Sequence, residues 1–383
     1  MINKIIFMKY ISILALLFLI SCNEQPKQQD QEIQFKAAAT LPEISYLPNG
    51  DTVIWTQTTK TISYPVWTKT IKPKVIKFNY LSLPLSPAKK ISGQSNVVIE
   101  NLRFENITEA MVYIDNCSNV IIKKCFFNKG GAEGIVFYNV KNVLVDSCLF
   151  NGVTTGVYAS TSQGVKVNNS QFINMRMRSD GSTRGQFVQF NAVTGEGNEV
   201  SGNKGENFAG ESNPEDMISM FKSYGTAASP ILIKNNFGRG GGPSQSGGGI
   251  MLGDYGGGYI IVENNKLLDP GNYIIACAGG TDITIRNNQG YQSLKDWSNI
   301  GMYTYSNPSS IGCTRINVTG NNIVCNSKRF PPYNNYYFPM NKIESCKESN
   351  WSGNSSTITI AELGIPVDLI DFVTQEELLK IRK

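Results

Sequence analysis

The chain has 383 residues, 41% of them hydrophobic, and a formal net charge of +5. This is the make-up of a folded globular protein of one large or two ordinary domains, and the charge balance is too weakly basic to point to a nucleic-acid partner. Histidine is absent, which excludes a Ser-His-Asp triad, a Cys-His dyad and every histidine-based zinc site, and leaves acid–base chemistry to Asp, Glu, Lys, Tyr or Arg.

The N-terminus, "MINKIIFMKYISILALLFLISC", places Lys4 and Lys9 ahead of an apolar run from Ile11 to Ile20. That is the layout of a secretory signal peptide, and the run is too short for a comfortable membrane span. Its end, Leu19-Ile20-Ser21-Cys22, resembles the lipobox of bacterial lipoproteins. The resemblance implies cleavage before Cys22, lipidation of that cysteine and a protein held at the bacterial outer membrane or cell surface. An ordinary signal peptide with a chance cysteine is the alternative. Without Lys4 and Lys9 the formal charge falls from +5 to +3. Residues 23–34 are polar and read as a flexible tether. Seven cysteines follow Cys22, so at least one is unpaired within a monomer, the expected state. Export permits disulfides without requiring them.

Residues 35–93 carry Trp55, Trp67 and several prolines and read as an N-terminal cover. A repeat follows. "SNVVIENLRF" at Ser95, "SNVIIKKCFF" at Ser118, "KNVLVDSCLF" at Lys141 and "QGVKVNNSQF" at Gln163 recur at intervals of 23, 23 and 22 residues. The pattern returns with longer insertions as "SPILIKNNFG" from Ser229, "GYIIVENNKLL" from Gly258, "TDITIRNNQG" from Thr281 and "TRINVTGNNIV" from Thr314. Apolar residues alternate within each unit, as at Val97 and Ile99 or Ile283 and Ile285, which is strand periodicity with one buried face. A second strand recurs in each unit, among them "GIVFYN" from Gly134, "GVYAST" from Gly156, "DMISMFK" from Asp216 and "GGIMLGD" from Gly248. Units this short bury a core only by stacking.

Stacked coils about 4.8 Å apart put Asn236, Asn265, Asn288 and Asn321 at one turn position, preceded there by Cys125, Cys148 and Ser170. Side-chain amides in such a column can satisfy a buried turn backbone, with the two cysteines as small buried fillers. In coil length, Asn column and glycine-started strand, residues 90 to 340 resemble the pectate-lyase-like superfamily. The resemblance implies an all-β fold, a single-stranded right-handed parallel β-helix over residues 94–340 closed by covers at both ends. Residues 341–383 read as the C-terminal cap, one strand in "STITI" and then a short helix in which Thr374 and Glu377 have capping-box spacing. The stretch "GGGIMLGDYGGGYIIVENN", Gly247 to Asn265, is rich enough in glycine to suggest a phosphate-binding loop. The apolar, β-branched "YIIVENN" that follows opens no helix, so these glycines read as coil turns.

Long inserts precede the recurring glycine-started strand between about Ser170 and Trp297: "NMRMRSDGSTRG", "GENFAGESNPE", "GRGGGPSQSGGG" and "YQSLKDWS". Stacked on one edge, they would wall a groove whose floor carries Tyr158, Gln189, Asn191, Ser219, Met251 and Tyr303. Aromatic and amide groups along a groove suit a polysaccharide, although each residue is equally readable as sheet decoration. Among charged groups, Glu211, Glu215 and Asp216 precede a strand that Lys222 ends, and Asp254 is expected one coil later at the position of Lys222, within salt-bridge range. A structural ion pair is the plain reading.

The functional reading is cleavage of a polysaccharide. Superfamily lyases eliminate across uronates by neutralising the carboxylate and removing the neighbouring proton. By that resemblance Glu215, Asp216 and Asp254 could hold calcium, with Lys222 or Arg239 as base, so that Lys222, Asp254 and Arg239 are the catalytic candidates. "EDMISMFKS" is faintly similar to the acidic-pair-then-lysine stretch of chondroitinase B and alginate lyases, with a different spacing. A hydrolase using Asp216 and Asp254 as paired carboxylates is the second reading. A glycan-binding or structural surface protein without turnover is the third.

Overall fold

In a computed structural model, the structure describes residues 78–178, 180–181, 185–306, 312–327 and 346–383, with the strand backbones at 43–46, 52–59 and 65–72. The signal peptide, Cys22 and the tether lie outside the described residues. The chain divides into two units, residues 1–76 and 77–383. In the first, Glu43–Tyr46, Thr52–Thr59 and Pro65–Lys72 form a three-stranded antiparallel sheet in chain order. Residues 77–93, expected in the cover, fall in the second unit, whose first coil strand is Lys89–Ser92.

Alternating Val and Ile residues build the second unit because their branched side chains pack well on a pleated, half-buried surface. Val120, Ile122, Val143, Val145, Val165 and Val167 all turn inward and are buried, each worth about 1.5–3 kcal/mol relative to exposure. Every coil contributes up to three short strands, and each strand pairs in parallel with its equivalent one coil on. A front sheet contains Val112–Asp115, Ile135–Tyr138, Val157–Ser160, Val188–Asn191, Ile218–Tyr224, the start of Ile250–Glu263, Tyr273–Cys277 and Ile300–Thr304. A second sheet runs from Ser95–Glu100 to Cys313–Thr319 and adds Asn350–Ser352, so the coils continue past residue 340. A third runs from Arg103–Glu105 to Asn322–Ser327.

The Asn column stands at the corner between the second and third sheets. The first Asn of each pair takes the left-handed conformation, with φ of 55° at Asn235, 55° at Asn264 and 54° at Asn287, which Asn tolerates better than most residues. The second turns inward. Asn265 Oδ1 accepts from the Asn236 backbone N–H at 3.0 Å, and Asn288 and Asn321 repeat the contact at 3.0 Å. The ladder continues to Asn203 on one side and Asn354 on the other. Cys125 and Cys148 fill the earlier rungs and are fully buried. Cys313 and Cys346 form a disulfide across neighbouring coils, while Cys117, Cys125, Cys148, Cys277 and Cys325 remain free thiols.

Phe104, Phe127, Phe150 and Phe172 stack through the third-sheet side of the core, ring centroids 4.7 to 5.1 Å apart. These rings explain the glycine-started strands. A Cβ on Gly134 would lie 2.8 Å from Phe150 Cδ1, and one on Gly156 2.4 Å from Phe172 Cε1. One coil later the third-sheet partner of Phe172 is Gly205. Phe187 supplies the ring from the front strand instead, 5.3 Å from Phe172.

The C-terminal segment lies along the flank of the solenoid. Ile370, Val373, Leu378 and Ile381 cover Phe126, Leu149 and Ile173, outward apolar residues of the third sheet. Their need for cover draws the segment there. Thr374 and Glu377 form the expected capping box on the helix Gln375–Arg382. The strand expected in "STITI" does not form: an isolated bridge at Ser355 precedes it, and a one-turn helix Ile360–Leu363 with its own capping box from Thr359 and Glu362 follows.

Candidate active site

Where the corner loops enter the front sheet, Thr155, Gln186 and Asp216 come from successive coils and are all buried. Thr155 Oγ1 donates to Gln186 Oε1 at 3.1 Å. Asp216 follows a loop and precedes the apolar Met217 and Ile218, which enter the core. Burial is the largest influence on its carboxyl and pushes it up to about 7. The Tyr273 hydrogen bond and the Gly248 backbone N–H, which donates at 3.0 Å, hold the rise back, while the charges of Glu215 and Asp254 add to it. Asp216 therefore exchanges its proton near neutrality, as a general acid or base must.

Tyr273 reaches Asp216 from two coils on and donates its hydroxyl to Asp216 Oδ1. Its ring crosses Gly248, where a Cβ would lie 2.6 Å from Tyr273 Cδ2 and 2.5 Å from the Tyr273 carbonyl. Glycine is required there to let the ring pass. Gly247 lies as closely against the Glu215 backbone, and Ser246 Oγ donates to Glu215 Oε1 at 3.1 Å. The triplet Gly247–Gly249 thus lets three coils close on a carboxylate pair. Tyr303 meets Tyr273 edge-on at 5.7 Å. Both phenols are raised, first by burial and next by the Asp216 charge.

Tyr158, Gln189, Ser219, Met251 and Tyr303 form one register column, with Ala276 between the last two. Asn191 stands two residues along the neighbouring strand, and its Nδ2 donates to the Tyr158 hydroxyl at 2.7 Å. The structure thus aligns these side chains on the front sheet beside Asp216.

The register does not place Lys222 opposite Asp254. Phe221 is the partner of Asp254, with bulges on either side of the pairing. Lys222 matches Tyr255 instead, both at a left-handed corner with φ of 48° and 56°. The Lys222 ammonium sits 5.1 Å from the Phe221 ring centroid and 5.5 Å from that of Tyr255. The extra residue is Gly253, with φ of 64°, which offsets the expected equivalence by one. Arg239 is not brought to this face. It lies in the third sheet, holds Glu206 through bonds of 2.7 and 2.9 Å, and donates to the Pro366 and Val367 carbonyls.

Among the described residues no three Asp, Glu, Cys or His side chains gather as a metal group. Asp216 accepts from the Tyr273 hydroxyl and the Gly248 backbone N–H. Sequence reasoning missed Tyr273 and Gln186. The signal for Tyr273 was Gly248 itself, a strand-entry glycine with an aromatic residue at the same position one coil on.

The sequence matches the family model of the right-handed β-helix region over residues 86–237. The chain is a right-handed parallel β-helix. Among solved structures, this β-helix is similar to a tailspike protein of E. coli bacteriophage HK620, a double mutant in complex with a pentasaccharide. The two share 12% identity over 62% of this chain and 50% of the tailspike, with a TM-score of 0.41. The β-helix spans about half the length of that protein. No curated protein matches the sequence.

Proposed function

We propose that the front face of the β-helix binds a polysaccharide and hydrolyses it, with Asp216 as general acid and Asp254 as the second carboxylate. The observation that carries this reading is the unlike environment of the two groups. Asp216 is buried and holds its proton to about pH 7, whereas Asp254 is half-buried and acts on it as a charge. Such a pair divides acid from base. The protonated Asp216 gives its proton to the glycosidic oxygen as the C–O bond breaks. Asp254 then stabilises the positive sugar carbon and either takes a proton from the incoming water or attacks that carbon first. Tyr273 steadies the Asp216 carboxyl through their hydrogen bond. Rings and amides in the column from Tyr158 to Tyr303 suit sugar C–H faces and hydroxyls.

Elimination from a uronate is the second reading, favoured by the Lys222 ammonium at the far end of the strand that Asp216 precedes, next to Phe221, the strand partner of Asp254. Its base would have to be Lys222, seated over two rings, or a phenol, and the Tyr273 and Tyr303 phenols are raised. The leader belongs to the same proposal: with Cys22 lipidated, the groove would work at the bacterial outer membrane or cell surface. Incubation with acidic and neutral polysaccharides tests the reading. New reducing ends without ultraviolet absorbance support hydrolysis, absorbance from unsaturated uronate supports elimination, and neither product on any substrate leaves a binding surface.

A further inference from the structure

A polar cavity of about 350 Å³ opens beside Lys129, Gly152, Asn174, Arg176, Glu211 and Arg382. Its walls are the corner loops that feed the front sheet, so it lies on the same edge as Asp216. The Arg176 backbone bridges Asn213, three residues before Asp216, which is roughly 10 Å of extended chain. We propose that this cavity binds the carboxylate or sulfate of an acidic glycan lying in the groove, which makes the substrate an anionic polysaccharide. The proposal rests on the front face being the glycan site.

Three observations support it. First, the Glu211 carboxylate in the wall is already paired. Arg382 donates to both Glu211 oxygens, Asn174 donates to Oε2 at 2.8 Å, and the Arg382 hydrogen bond, the largest influence, lowers the Glu211 carboxyl. Second, the positive charge is not. Among the described residues no carboxylate pairs with Lys129 or Arg176, although other coil cations do find partners, as Lys123 does with Glu100, Lys234 with Glu199 and Arg286 with Glu263. Third, the guanidinium has a seat. Arg176 donates one N–H to the Gly152 carbonyl at 2.8 Å, and a Cβ on Gly152 would come 2.7 Å from Arg176 Nη2. Glycine there, with φ of 61°, lets Arg176 Nη2 come this close to the backbone, and among the described residues its other guanidinium donors have no hydrogen-bond partner. A planar, always charged fork beside a lysine suits a carboxylate or sulfate.

Binding of the whole protein to polygalacturonate, dextran sulfate and neutral dextran tests the proposal, with the wild type compared to Lys129→Ala/Arg176→Ala, Lys129→Gln and Asp216→Asn. Wild type should prefer one or both polyanions to dextran, and their ranking tells carboxylate from sulfate. The double variant should lose that preference by on the order of tenfold or more, the worth of one charge-assisted hydrogen bond. Lys129→Gln leaves the Arg176 seat intact and should lose part of it, which guards against a folding defect in the double variant. Equal binding of wild type to dextran, or an unchanged preference in both cavity variants, overturns the proposal. Asp216→Asn should bind like wild type without cleaving. If it still cleaves, the hydrolytic reading fails while the cavity's result stands by itself.

Discussion

Asn265→Ala removes the middle rung of the amide ladder. The side chain is 1% exposed. It accepts from Asn236 backbone N–H at 3.0 Å and Asn236 Nδ2 at 2.9 Å, and donates to the Ile233 carbonyl at 2.9 Å and Asn288 Oδ1 at 2.9 Å. Alanine leaves the Asn236 N–H buried without a partner, at about 1–3 kcal/mol, whereas the Ile233 carbonyl stays in the parallel ladder with the next coil. Asn236 Nδ2 and Asn288 Oδ1 keep other bonds, to the Val200 carbonyl and from the Asn265 N–H, and add little. The expected loss is about 1–3 kcal/mol. Asn354→Ala is the control. It removes the last, half-buried rung, which serves Asn321 N–H and the Val318 carbonyl, where water can replace part of what is lost. Guanidinium unfolding of both variants measures the difference. A loss at Asn265 below about 1 kcal/mol, or no larger than at Asn354, would refute the ladder as a source of stability.

Tyr273→Phe removes a hydrogen bond that holds the Asp216 carboxyl down. Asp216 should then keep its proton to higher pH, and the alkaline limb of the rate–pH profile for cleavage should move up; an unmoved limb would separate Tyr273 from the acid. Arg239→Ala strands the largely buried Glu206 carboxylate and releases two carbonyls of the C-terminal segment. It should cost about 2–3 kcal/mol, at the low end for a partly buried pair, and leave cleavage per folded molecule unchanged; a stable but inactive variant would return Arg239 to the chemistry. Cys22→Ser should release the protein from the membrane fraction, and a variant that still sediments with membrane, beside a wild type without acyl groups, would remove the anchor.

The coils were legible because a solenoid writes its structure into the sequence at fixed intervals. Ser95, Ser118, Lys141 and Gln163 are register partners as their spacing implies, and the column of Asn236, Asn265, Asn288 and Asn321 follows from the same count. The alignment of Tyr158, Gln189, Ser219, Met251 and Tyr303 was legible too, since equivalent strand positions stack from coil to coil. Spacing fails where one residue is inserted. Gly253 shifts Asp254 onto Phe221 and leaves Lys222 over aromatic rings, and no periodicity announces a single bulge. Arg239 was misread for a different reason. Its loop neighbours look like groove wall, but its partner Glu206 and the carbonyls it holds at Pro366 and Val367 are distant in sequence. Tyr273 was hidden because its role depends on what Gly248 lacks.

Burial makes Asp216 keep its proton in the native state well above its ordinary value of 3.8. A folded-state pKa of about 7 means that this group's contribution to stability is fully present below about pH 4 and is lost as pH rises through about 7. Asp216→Asn retains the Oδ1 acceptor for Tyr273 and Gly248 and cannot ionise. The decisive measurement is the difference in unfolding free energy between Asp216→Asn and wild type at pH 4 and at pH 8. Little difference is expected at the lower pH, and a variant more stable than wild type at the higher. A difference that does not change with pH, or a variant less stable than wild type at pH 8, would contradict the raised Asp216 pKa.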